Sequence, residues 1–147
     1  MSWLIGIWST QPTGPNQATT WVTVSLLMPG ILTQEFWYQA RTDGGALIET
    51  KPRQRAMAFY HEGIKRLCVD PQAVRTVPCF IEGEIQDGRV VWESKAAVPK
   101  IRYIDTRISA DSWRREFMIC DEKEACRERE QTLFVRQAGS AKPPVPK

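Results

Sequence analysis

The feature that most restricts this chain is alternation. Apolar and polar side chains exchange at every second position through residues 20–28, 31–41, 77–86, 89–95 and 112–120, which is the period of a β-strand. Residues 46–50, 100–107 and 126–136 read as further strands. The runs are separated by Met28-Pro29-Gly30, Asp43-Gly44-Gly45, Asp87-Gly88 and Asp121-Glu122-Lys123. Asp-Gly between two alternating runs is a hairpin signal, because both residues tolerate the positive φ of a type I′ turn. On 20–28, Val22, Val24, Leu26 and Met28 oppose Trp21, Thr23, Ser25 and Leu27. On 31–41, Leu32, Phe36 and Tyr38 oppose Trp37.

One segment departs from this rhythm. Met57, Tyr60, Ile64 and Leu67 are spaced by three and four residues, so residues 53–68 read as a short helix, weakened by Gly63, with two short strands as the alternative. Seven to nine short strands in 147 residues make one all-β, mainly antiparallel domain over residues 1–138, a sandwich or a closed barrel. Residues 127–132 (Arg-Glu-Arg-Glu-Gln-Thr) are polar on both faces. A dry sandwich core would penalise that, whereas a barrel with a wet cavity or an edge strand would not. This favours a barrel of about eight strands. Residues 139–147, with three prolines, read as a flexible tail.

Composition removes several functional classes. A net charge of +3 is too small to imply nucleic acid as a partner, and no apolar run reaches a membrane-spanning length. The N-terminal residues lack the pattern of an export signal. The basic segment 95–115 holds six bases and two acids, a solvated face or an anion-binding surface. Cys68, Cys79, Cys120 and Cys126 form no C-x-x-C pair and have a single histidine, His61, for company. Metal ligation is therefore not expected, and reduced thiols in the cytoplasm are. No phosphate loop or dinucleotide fingerprint occurs, so no cofactor is expected.

Gly6-x-Trp8 near the start, Trp113-x3-Phe117 in the last hairpin, and Phe134-Val135-Arg136 at its end resemble the signature of the calycin superfamily, the lipocalin-like and fatty-acid-binding-type barrels. That resemblance implies a closed lipocalin-like barrel in which Arg136 lies across the face of Trp8. It also implies a small hydrophobic or amphiphilic ligand in the barrel mouth, optionally one with an acidic group.

Candidate site residues follow from this frame. Trp37, Tyr38, Trp92 and Tyr103 would line the cavity, with Arg107 clamping an acidic group. Glu35, beside Trp37 on an aromatic strand, and His61, the lone imidazole, are the candidate catalytic residues if the barrel is an enzyme. Three functions remain open. They are a binding barrel, a cofactor-independent isomerase, cyclase or lyase in the same cavity, and a protein-interaction module using residues 95–115 or the proline tail.

Overall fold

The computed structural model describes residues 2–11, 18–42, 44–61, 64–70, 79–82, 85–86, 88–93, 99–139 and 143–144, without the side chains of 53–61, 64–70, 79–82 and 85–86. After a 3₁₀ turn at Ser2–Leu4, the described residues form eleven strands. These are β1 (Gly6–Thr10), β2 (Thr19–Met28), β3 (Ile31–Arg41), β4 (Leu47–His61), β5 (Ile64–Asp70), β6 (Cys79–Glu82), β7 (Ile85–Gln86), β8 (Arg89–Glu93), β9 (Lys100–Arg107), β10 (Ser112–Cys120) and β11 (Cys126–Arg136). They pair antiparallel in one sheet, ordered β6-β5-β4-β3-β2-β1-β11-β10-β9-β8-β7. Every hydrogen-bonded neighbour is also a chain neighbour, except that β1 joins β11 through Trp8↔Arg136, Ser9↔Val135 and Thr10↔Phe134.

The fold is therefore an all-β antiparallel meander whose first and last strands meet. The expected closed seam is not present among the described residues, since β6 and β7 end the sheet. The sheet nevertheless curls strongly, and Cα atoms of β6 come within 8 Å of β8. Ile85↔Val90 and Gln86↔Arg89 bracket a two-residue loop, and Gly88 has φ 73°, as a type I′ turn requires. Asp87 lies outside the described residues.

The helix expected over 53–68 is instead the end of β4 followed by β5. Tertiary pairing overrides the three-and-four spacing, for helix propensity is a weak preference. β4 is hydrogen-bonded to β3 from Arg41↔Leu47 to Ile31↔Phe59 and to β5 from Arg55↔Asp70 to His61↔Ile64. Pro52 stands where the β3–β4 register shifts, between Trp37↔Pro52 and Phe36↔Gln54. A bulge is a place where a strand accommodates a missing N–H donor.

The inner face carries Trp8, Val22, Val24, Leu32, Phe36, Val90, Trp92, Trp113 and Phe134, all buried, together with Leu4 from the 3₁₀ turn. Trp113 stacks on Phe134 with centroids 4.1 Å apart and meets Trp8 edge-on at 6.2 Å. The alternation expected for β2 holds only in part. Trp21, Val22, Thr23 and Val24 are buried on both faces, while Leu26, Leu27 and Met28 are exposed. What covers the outer face includes the tail, where Pro143 is buried. The carbonyl of Pro144 accepts hydrogen bonds from Thr50 Oγ1 at 2.7 Å and Gln39 Nε2 at 3.3 Å.

The polar stretch of β11 has a simple explanation. β11 is central in strand order, yet β1 covers only its last three residues. Glu128, Arg129, Glu130 and Gln131 are left exposed, and among the described strands β10 alone pairs with this stretch.

Cys120 and Cys126 are bonded as a disulfide, against the expectation of reduced thiols. They are directly opposed as the final pair of the β10–β11 ladder, a proximity that five intervening residues do not announce. Cys79 faces Cys68 in the β5–β6 register, with both side chains outside the description.

Candidate functional site

Two features of the inner face and its open end could hold a molecule. The first is a buried polar centre. Asp105 on β9 is fully buried and opposes Arg115 on β10. Arg115 donates from Nε to Asp105 Oδ1 at 2.7 Å and from Nη2 to Oδ2 at 2.8 Å, the bidentate geometry that a planar guanidinium permits. Trp92 Nε1 adds a third bond to Oδ2 at 3.0 Å. The guanidinium carbon lies 5.3 Å from the Phe36 ring, 5.4 Å from Tyr103 and 5.3 Å from Trp113. Contact between β10 and β3 is contact across the curled sheet.

Burial disfavours the charge of Arg115, but the Asp105 carboxylate and its hydrogen bonds outweigh burial and hold the guanidinium above its usual range. The pair is charge-matched and supplies a fixed dipole, because an arginine this basic exchanges no proton near neutrality. On the same face, Gln34 Oε1 and Trp113 Nε1 are buried without hydrogen-bond partners among the described residues, a state that costs roughly 1–3 kcal/mol per group.

The second feature is an open cavity of about 240 Å³ where β9, β10 and β11 end, lined by Pro99, Ile119, Asp121, Ala125, Arg127 and Arg129. Ile119 lies opposite Arg127 on β11 and Ile101 on β9. Two residues further inward along β10, Phe117 stacks on Tyr103 at 5.2 Å. The Asp121 carboxylate is turned to its own loop, accepting from the backbone N–H of Lys123 at 2.9 Å and Ala125 at 3.0 Å. Among the described residues Arg127 and Arg129 form no ion pair. The cavity thus has an apolar wall and two cationic side chains open to a ligand.

Of the residues expected to form the site, Trp92 and Tyr103 lie opposite each other on the inner face. Arg107 belongs to the same strand but is exposed at its far end, donating from Nε to the Ser109 carbonyl at 3.3 Å. Trp37 and Tyr38 cannot both face inward from consecutive strand positions. Trp37 opposes Trp21 on the outer side, and Tyr38 lies under Lys51 Nζ at 5.2 Å. Glu35 opposes Thr23 on that outer side, away from the aromatic interior. His61 ends β4, with its side chain outside the description. Asp105, Arg115, Gln34, Arg127 and Arg129 were not anticipated. Their signal was available for one pair, since Asp105 alternates with Tyr103, and Arg115 with Trp113 and Phe117.

No family model and no curated protein match the chain.

Proposed function

We propose that this chain is a lipocalin-like barrel that binds a small amphiphilic molecule bearing an acidic group. The observation that carries the reading is the open cavity at the β9–β10–β11 end. Pro99, Ile119 and Ala125 offer apolar contact, and Arg127 and Arg129 stand beside them. A sequential meander whose first and last strands pair, and whose ends approach at β6 and β8, supports the barrel. So does the stacking of Arg136 on Trp8. The enzyme reading gains no support from Glu35, which lies on the outer side. The disulfide removes the argument from reduced thiols for a cytoplasmic location.

Decanoate and decanol, titrated as competitors of anilinonaphthalene sulfonate, test the reading. Decanoate should displace the dye saturably at one site, decanol at least tenfold less well, and the R127A/R129A variant should lose the difference. Equal displacement by both compounds, or an unaltered preference in the variant, would overturn it.

A further inference from the structure

The outer face of β2, β3 and β4 carries a second arrangement, unrelated to the cavity. Thr19, Gln39 and Thr50 form one cross-strand row, and Trp21, Trp37 and Pro52 the adjacent row. Gln39 is a buried amide, only 1% exposed. Thr19 Oγ1 donates to Gln39 Oε1 at 3.3 Å, which turns the amide nitrogen toward the tail. Gln39 Nε2 and Thr50 Oγ1 then converge on one acceptor, the carbonyl of Pro144. Pro143 is buried against the protein. In the neighbouring row, Trp21 Nε1 and Trp37 Nε1 are buried donors with no partner among the described residues.

A face of two tryptophans and several side-chain donors, offering no strand edge, is the chemistry that recognises a polyproline II segment. Such a segment is rich in carbonyls that accept and poor in N–H groups that donate, since each proline lacks one. It is also already extended, so little ordering entropy is lost when it docks on aromatic rings. The segment Lys142-Pro143-Pro144-Val145-Pro146-Lys147 has that composition.

We propose that the outer face of β2–β4 is a polyproline-binding surface, occupied in cis by the chain's own tail and open to proline-rich peptides when the tail is displaced. The tether to β11 is short, with Pro143 seven residues beyond Arg136. A short tether sets an effective concentration in the millimolar range. The tail therefore acts as a competitive strap that admits only peptides binding well below that level. Indole donors at Trp21 and Trp37, without a partner among the described residues, give a longer or better-placed peptide something to gain.

The test uses the full-length chain and the synthetic peptide Ala-Lys-Pro-Pro-Val-Pro-Lys, which reproduces residues 141–147. The substitutions Pro143→Ser and Pro144→Gly together release the tail without touching the sheet. The released chain should bind the peptide at least tenfold more tightly than the unaltered chain, read by indole emission. Adding Thr50→Val should abolish that gain, and a peptide with alanine at each proline should not bind. Equal affinity of the peptide for unaltered and released chains would overturn the strap. Equal affinity of the proline-free peptide, or indifference to Thr50→Val, would overturn the polyproline surface.

Discussion

The guanidinium of Arg136 lies 4.2 Å from the centroid of the Trp8 ring, and the two residues are directly opposed where the first strand meets the last. The same guanidinium donates from Nη1 to the Ile5 carbonyl at 3.3 Å and from Nη2 to the Ala110 carbonyl at 3.1 Å. One side chain thus ties the 3₁₀ turn, the β9–β10 connection and the β1–β11 junction together. Trp8 answers from below, with Nε1 donating to the Leu4 carbonyl at 2.8 Å.

Trp8→Ala should cost about 3–5 kcal/mol, the range for removing a buried aromatic side chain. Arg136→Met should cost roughly 1–2 kcal/mol, because the ring contact and the hydrogen bonds are partly exposed to water. Urea denaturation of both variants checks the order. A Trp8→Ala change smaller than that of Arg136→Met would remove Trp8 from the core.

Gly6 should resist substitution for two reasons that can be separated. Its φ is +147°, and a Cβ there would meet Arg136 Nη1 at 2.5 Å. Gly6→Ala should destabilise by roughly 1–3 kcal/mol from the backbone alone, with the clash adding to it. In an Arg136→Ala background the clash disappears and only the backbone strain remains. A double-mutant cycle should therefore show coupling, and simple additivity would assign the whole effect to φ.

Removing one member of the buried ion pair should be worse than removing both. Asp105→Asn leaves Arg115 without its counter-charge and should cost about 3–5 kcal/mol. Asp105→Leu combined with Arg115→Met should cost much less than either charge deletion alone, since no unpaired charge remains. Thermal melts at matched pH distinguish this from a purely additive pair.

The turn between β10 and β11 holds a contact whose pH dependence has a definite sign. Glu124 accepts from Lys100 Nζ at 2.7 Å. That hydrogen bond and the lysine charge hold the carboxyl below its ordinary range, and the same bond raises Lys100. The Glu124 contribution is complete above the ordinary glutamate pKa and disappears as pH falls through the lowered value. The Lys100 contribution is complete below the ordinary lysine pKa and disappears as pH rises through the raised value. Side-chain carboxyl titration by NMR should place Glu124 below the ordinary glutamate range. Lys100→Met should return it to the ordinary range, and 1 M salt should narrow the difference.

Strand identity was legible in the sequence because period-two patterning is local. The spans 31–41, 100–107, 112–120 and 126–136 coincide with strands in the structure. The Trp8–Arg136 contact was legible as well, through a likeness carried by a few residues. The segment 53–68 was not. Its spacing fits a helix as well as two strands, and the decision falls to β3, which offers β4 a partner along nearly its whole length.

Site geometry was less accessible. Alternation says which residues share a face, so it groups Tyr103 with Asp105 and Arg107 on one strand. It does not say how far each sits from the sheet's end, and that distance buries Asp105 and exposes Arg107. Register between strands, the bulge at Pro52, the opposition of Cys120 to Cys126 and the seating of Pro144 on Gln39 and Thr50 all depend on contacts between residues far apart in the chain or across a turn. Such contacts are selected by the packing of the whole sheet, and a one-residue slip would reverse every face. Local chemistry therefore determined which segments extend, and only the curled sheet decided which of their side chains meet.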